Sequence, residues 1–300
     1  MRRLLTCALL ALLACGLPAT AQEKIKVVAS FSILADLVRN VGGDRVEVAA
    51  LIGRNEDSHA FEPSPADSRR VADAKLVVVN GLGFEGWLDR LVRAAGSKVP
   101  VVVASAGVEP REDVQDETRL GRDRAGVDPH AWQSVANVKR YVANIRDALS
   151  KVDPAAQGTY AANAGAYLAK LDALDREIRS TLAKIPADRR RVISSHDAFG
   201  YFADAYGIAF SAPGGLSTDA EPSALAVARI IRRIRSERIG ALFVENVVDP
   251  RLVQLIARET GARVGGTLYS DALTGSDGPA PTYLDMMRRN VRELATALGG

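Results

Sequence analysis

The chain has 300 residues, 47% hydrophobic and 25% charged, enough to bury a core in one large domain or two medium ones. Its formal charge is +3, but Arg2 and Arg3 fall in an export signal, and removing them leaves 37 of the 39 basic residues against 36 acids. That near-neutral balance makes no case for a nucleic-acid partner or for an anionic membrane surface.

The first 21 residues read as a signal peptide. Arg2-Arg3 is the charged start, Leu4 to Gly16 the apolar run, and Ala19-Thr20-Ala21 the cleavage site before Gln22. The run is too short to span a bilayer. The alternative is a lipoprotein box, Leu12-Leu13-Ala14-Cys15, which would leave a chain lipid-anchored through Cys15. Cys7 and Cys15 are the only cysteines, so a chain starting at Gln22 has neither a disulfide framework nor a thiolate metal site.

Strands then alternate with helices. Lys26–Ala29 is a strand and Ile33–Val41 its helix, and Val46–Ile52 is the second strand. After the turn Gly53–His59, Ser64 caps a helix with Pro65 at its first position and Asp67 at its third. Leu76–Asn80 is a nearly all-valine strand of the kind buried on both faces. Phe84–Ala95 is a helix and Val99–Ala104 a fourth strand. This alternation predicts a parallel, doubly wound sheet. Residues 108–126 carry six acids and four arginines and read as a surface loop. A helix follows over Val135–Leu149.

From Pro154 to Ile185, Tyr160, Ala164, Tyr167, Leu171, Leu174, Ile178 and Leu182 keep three-and-four spacing. Roughly 30 residues at 1.5 Å each make a helix of about 45 Å, long enough to join two lobes. The strand-helix order then restarts, with strands at Val192–Ile193, Ile208–Phe210, Ala241–Val244 and Arg263–Tyr269. Helices lie between them at Ala198–Tyr206, Ser223–Arg235 and Pro250–Thr260. The expected fold is α/β: two Rossmann-like lobes with parallel sheets, residues 22–152 and 188–300, joined by one long rigid helix over 153–187.

Ligands of open α/β sheets bind beyond the carboxyl ends of the strands. The three histidines, His59, His130 and His196, each lie just past an apolar run and just before a helix, and Asp271 follows the last strand. A lone histidine after a strand is ordinarily a hydrogen-bonded turn residue, and a lone aspartate a cap. Three histidines in one context point instead to a shared site, where three nitrogen donors and one oxygen donor suit a four-coordinate Zn²⁺ in the cleft. Imidazole binds a metal only when neutral, so acid should weaken such a site.

Asp128-Pro129-His130-Ala131-Trp132, Ser195-His196-Asp197-Ala198-Phe199, Glu221-Pro222-Ser223 and Tyr269-Ser270-Asp271-Ala272-Leu273 carry a family resemblance. His59-Ala60-Phe61-Glu62-Pro63-Ser64-Pro65 and the stretch from Gly278 to Met287 carry it further. Over essentially the whole mature chain these motifs resemble the ZnuA/TroA-like metal-binding proteins of bacterial zinc/manganese ABC importers. The resemblance implies two lobes joined by a rigid helix, with four ligands falling on His59, His130, His196 and Asp271. It also implies a periplasmic protein of a Gram-negative bacterium, a membrane permease with its ATPase as partners, and no catalytic activity. A periplasmic delivery protein is a further expected partner, and the chain is expected to be monomeric.

His196 stands where manganese and iron members of the family often have Glu, which favours Zn²⁺ over Mn²⁺ or Fe²⁺. The loop at 108–126 has no histidine, unlike the His-rich loop of many zinc members, so one metal per chain is expected. Gln133-Ser134 also departs from the usual family sequence after Trp132.

Two other motifs point elsewhere. Gly81-Leu82-Gly83-Phe84-Glu85-Gly86 has dinucleotide-loop spacing, but no acid ends the next strand, so the glycines read as a tight turn. Ser195-His196-Asp197 has triad residue types, but consecutive residues do not normally converge as a triad. A zinc-dependent hydrolase is the alternative of another class, with Glu245 the one nameable base; the plainer reading makes Glu245 a residue at the cleft edge.

Overall fold

The computed structural model describes residues 23–96, 98–112, 126–218 and 221–299. The export signal, the Cys15 alternative and most of the acidic loop lie outside the described residues. Among those residues no helix is long and apolar enough to cross a membrane.

The first half runs β1 (Ile25–Phe31), α1 (Ser32–Gly42), β2 (Val46–Ile52), α2 (Pro65–Ala72), β3 (Leu76–Val79), α3 (Leu88–Ala95) and β4 (Val101–Val103). Its strands form a parallel sheet in the order β2-β1-β3-β4. A short antiparallel pair follows, β5 (Arg111–Glu112) with β6 (Val127–Asp128). Next come α4 (Val135–Val152) and α5 (Gln157–Leu182). The second half runs β7 (Arg191–Ile193), α6 (Gly200–Tyr206), β8 (Ala209–Ser211), α7 (Ala224–Glu237), β9 (Ala241–Glu245), α8 (Arg251–Thr260), β10 (Arg263–Leu268) and α9 (Tyr283–Leu298). Its sheet is also parallel, in the order β10-β9-β7-β8. Counted from its own first strand, each sheet has the order 2-1-3-4. The repeat expected from the sequence is therefore real at the level of topology.

Local chemistry sets the elements. All four residues of β3 are buried, as its valine run predicts. The cap of α2 is reciprocal: the Ser64 hydroxyl accepts the Asp67 N–H, and the Asp67 carboxylate accepts the Ser64 N–H. The α3 helix begins at Leu88, four residues later than its apolar spacing predicts. Gly81, Leu82 and Gly83 have φ of 84°, 55° and 81°, so the chain turns sharply there before Phe84 and Trp87 enter the core.

The joining helix α5 is shorter than expected. Pro154–Ala156 form a separate 3-10 turn, leaving 26 residues, or about 39 Å at 1.5 Å each. Its buried residues are the seven that the spacing predicts, from Tyr160 to Leu182. They rest on α1 and α4 at one end and on α6 and α9 at the other. The α9 helix was not foreseen, although Thr282 caps it by accepting the Asp285 N–H.

One continuous apolar core runs from Val27 and Phe31 in the first sheet to Phe210, Phe243 and Met286 in the second half. A separate, smaller cluster, including Ile193, Ile230, Leu242 and Ile256, lies under α7 and α8. Drawing the lobes apart as rigid bodies would expose the shared core, at about 25 cal/mol per Å². The packing thus places easy motion in loops rather than between lobes.

Candidate metal centre

Each of the four expected ligands is positioned by a neighbour. The His59 N–H donates to Asp57 Oδ1 at 2.9 Å, which fixes the end of the turn after β2. The His130 N–H donates to Asp128 Oδ1 at 2.9 Å, and its ring Nδ1 lies 2.8 Å from the same oxygen. A proton held on Nδ1 leaves the Nε2 lone pair free for a cation. His196 follows β7, and Glu245 reaches it from the end of β9. Glu245 Oε1 accepts the N–H groups of Ser195 and His196 at 2.8 and 3.0 Å, while Oε2 lies 2.8 Å from His196 Nδ1. Asp271 is held through its neighbour: the Ser270 carbonyl accepts Trp132 Nε1 and Gln133 Nε2, both at 2.8 Å.

The donor atoms converge, and all lie within 4.8 Å of one another. His59 Nε2 is 3.2 Å from His130 Nε2 and 3.3 Å from Asp271 Oδ2. His196 Nε2 is 3.2 Å from Asp271 Oδ2, and His130 Nε2 is 3.7 Å from Oδ1. A tetrahedron with metal–ligand bonds of about 2.0–2.2 Å has edges of about 3.3–3.6 Å. The spacing therefore fits one small ion. His130, His196 and Asp271 are buried. Outside this cluster, neither Asp271 oxygen nor His196 Nε2 has a hydrogen-bond partner among the described residues, and polar atoms orphaned in this way are costly unless a ligand satisfies them.

Burial disfavours the His196 imidazolium, but the Glu245 and Asp271 carboxylates outweigh it and raise its pKa well above the ordinary histidine value. Burial likewise disfavours the Asp271 carboxylate, yet His196 and His130 hold its pKa well below the usual range. Without a cation, His196 and Asp271 each favour the other's charged form. For Asp128, burial opposes ionisation, while His130 and then Arg111 bring its pKa below normal.

The structure brings together all four residues singled out in the sequence. Glu245 lies behind His196 with Oε1 taken by backbone donors, which fits a positioning role and not that of a base facing a substrate. The Asp197 N–H donates to the Gly215 carbonyl, and Ser195 Oγ has no hydrogen-bond partner among the described residues, so these two and His196 form no triad. Sequence reasoning assigned no role to Asp128, Trp132 or Gln133. The recurrence of Asp-x-His at 57–59 and 128–130 was the available signal.

Donors collected from the facing edges of two like sheets are the layout of a substrate-binding protein that holds its cargo between lobes. Comparison makes the class specific. Residues 27–297 match the family described as ZnuA, zinc-uptake complex component A, periplasmic, and the chain belongs to that family of substrate-binding proteins of metal ABC importers, which are not enzymes. It is 36% identical over 278 residues to the manganese-binding lipoprotein MntA of Halalkalibacterium halodurans, covering 92% of this chain and 89% of that one. It is 34% identical over 282 residues to the iron-binding protein YfeA of Yersinia pestis, covering 94% and 89%. The periplasmic zinc-binding protein TroA of Treponema pallidum superposes with a TM-score of 0.83 at 28% identity, over 92% of this chain and 99% of that one.

Proposed function

We propose that this chain captures one Zn²⁺ outside the cytoplasm through His59, His130, His196 and Asp271 and hands it to the permease of an ABC importer. The observation that carries the proposal is the convergence of three Nε2 atoms on a carboxylate that is buried and, among the described residues, otherwise unpartnered. Three imidazoles and one carboxylate form the donor set that zinc takes readily at four-coordinate sites. The lobes are taken as residues 22–152 and 188–300, with 153–187 joining them. The N-terminal segment directs export. Cleavage after Ala21 would give a free periplasmic chain and Cys15 a lipid anchor, and the relative that is a lipoprotein favours the anchor.

A second reading is manganese or iron. Two relatives are named for these metals, and both Asp271 oxygens are free to bind side by side, giving the fifth contact that an oxygen-preferring ion favours. Competition decides between the readings: apo protein is titrated with zinc and with manganese against a chelator. Tight one-to-one zinc binding with much weaker manganese binding supports zinc. Equal or tighter manganese binding overturns that choice and leaves the site intact.

A further inference from the structure

Both first-lobe histidines end an Asp-x-His turn, and in both turns the aspartate is divided between two tasks. One oxygen accepts the histidine's own N–H at 2.9 Å, in Asp57–His59 and in Asp128–His130 alike. The other oxygen is tied toward the second lobe. Asp57 Oδ2 accepts the Thr218 hydroxyl at 2.6 Å. Asp128 Oδ2 lies 3.3 Å from Arg111 Nη1, and Arg111 Nε donates at 3.0 Å to Asp204 on α6. The Arg111 backbone N–H also donates to Tyr201 Oη, again on α6, at 2.8 Å.

The surroundings are built around these ties. A Cβ on Gly200 would lie 2.3 Å from Arg111 Nη1 and 2.6 Å from Asp128 Oδ2, so a side chain there would push the ion pair aside. Asp128 is fully buried, and Arg111 is the cation beside it. The segment 214–218 is anchored to the His196 side by Gly214 N–H to the Ser195 carbonyl and by Asp197 N–H to the Gly215 carbonyl. Its other end reaches Asp57 through Thr218. A cavity of about 460 Å³ lined by Asp57, Gly214 and Thr218 reaches His196, and one of about 1010 Å³ lined by Leu216 and Ser217 reaches His59. The segment therefore stands between two approaches to the donors.

We propose that Thr218 and Arg111 are positioning residues that couple metal retention to contact between the lobes. Each holds the far oxygen of an aspartate whose near oxygen sets a ligand histidine, so ligand geometry and closure rise and fall together. Breaking either tie frees one imidazole to leave the ion and loosens the cleft over it. This inference rests on the metal-binding reading above.

The test measures zinc release by stopped-flow chelator chase from the full chain loaded with zinc alone. Thr218→Val and Arg111→Gln are each expected to speed release about tenfold with association unchanged, in the range seen for groups that orient metal ligands. Thr218→Ser, which keeps the hydroxyl, should restore slow release. Asp204 is 66% exposed, so added salt should speed release in the unaltered protein and have a smaller effect in Arg111→Gln. A merely structural role would lower the melting temperature and leave release and its salt dependence unmoved. Release within twofold of the unaltered rate in both variants, or no rescue by Thr218→Ser, overturns the inference. An unaltered protein that holds no zinc overturns the choice of zinc and this inference with it.

Discussion

The two sheets share a strand order but not a way of holding their candidate ligands. His196 follows β7, an interior strand, and its own sheet supports it: Glu245 at the end of neighbouring β9 binds its backbone and faces its ring. Asp271 follows β10, an edge strand, and draws on both lobes: in its own, Asn246 Nδ2 donates to the Ala272 carbonyl and Asn290 bonds both backbone groups of Tyr269, and the other lobe adds to this. Trp132 and Gln133 hold the Ser270 carbonyl, the Leu273 N–H donates to Ser32 Oγ, and Asn55 N–H donates to the Leu273 carbonyl. His59 follows the edge strand β2, and its loop leans on the second lobe in return: Arg54 donates to the carbonyls of Thr274 and Pro281. The edge-strand candidate ligands are held partly across the cleft and the interior-strand one from within. The ligands therefore do not divide mechanically as two and two.

The largest expected effects break the site itself. Structural zinc sites bind with about 10–16 kcal/mol over four ligands, so each is worth roughly 3 kcal/mol, or on the order of 10²-fold. His196→Ala and Asp271→Ala should each weaken zinc binding by about that factor in chelator competition. Leu171→Ala makes the opposite cut. Its side chain is fully buried in α5 and far in sequence from any ligand, so it should cost about 2–5 kcal/mol of stability in denaturant unfolding. Zinc affinity should stay nearly unchanged. Glu245→Gln tests the interior support, with an expected loss of about 10–100-fold in zinc affinity. Gln133→Leu tests the cross-cleft support. Trp132 still binds the Ser270 carbonyl, so the loss should be only about 1 kcal/mol, roughly fivefold. Equal losses in Glu245→Gln and Gln133→Leu would erase the distinction between the two kinds of support.

The pH dependence has a definite sign. The raised pKa of His196 stabilises the apo protein fully below the ordinary histidine value of about 6.5. That stability is lost as pH rises through the raised value. Metal needs the neutral ring, so affinity should rise over the same window, with proton release on binding. Calorimetry in buffers of different ionisation enthalpy measures that release, and its absence would contradict the raised His196 pKa.

Much of this was legible in the sequence because it rests on local rules. The cap at Ser64, the seven buried residues of α5 and the placement of donors after strands follow from spacing and residue type. The cross-cleft supports were not legible. Trp132 reaches Ser270 over 138 residues and Thr218 reaches Asp57 over 161, and no periodic pattern encodes such a pairing. The α9 helix also escaped, because its Thr282 cap follows a glycine- and proline-rich stretch that reads as loop.

The central claim is that one divalent ion sits among His59, His130, His196 and Asp271. Anomalous diffraction from crystals of the metal-loaded protein, recorded at the zinc and manganese absorption edges, tests it most directly. The account predicts one strong peak per chain, about 2.0–2.2 Å from three Nε2 atoms and an Asp271 oxygen. A peak elsewhere, or a peak that fewer than three of these residues touch, would contradict it.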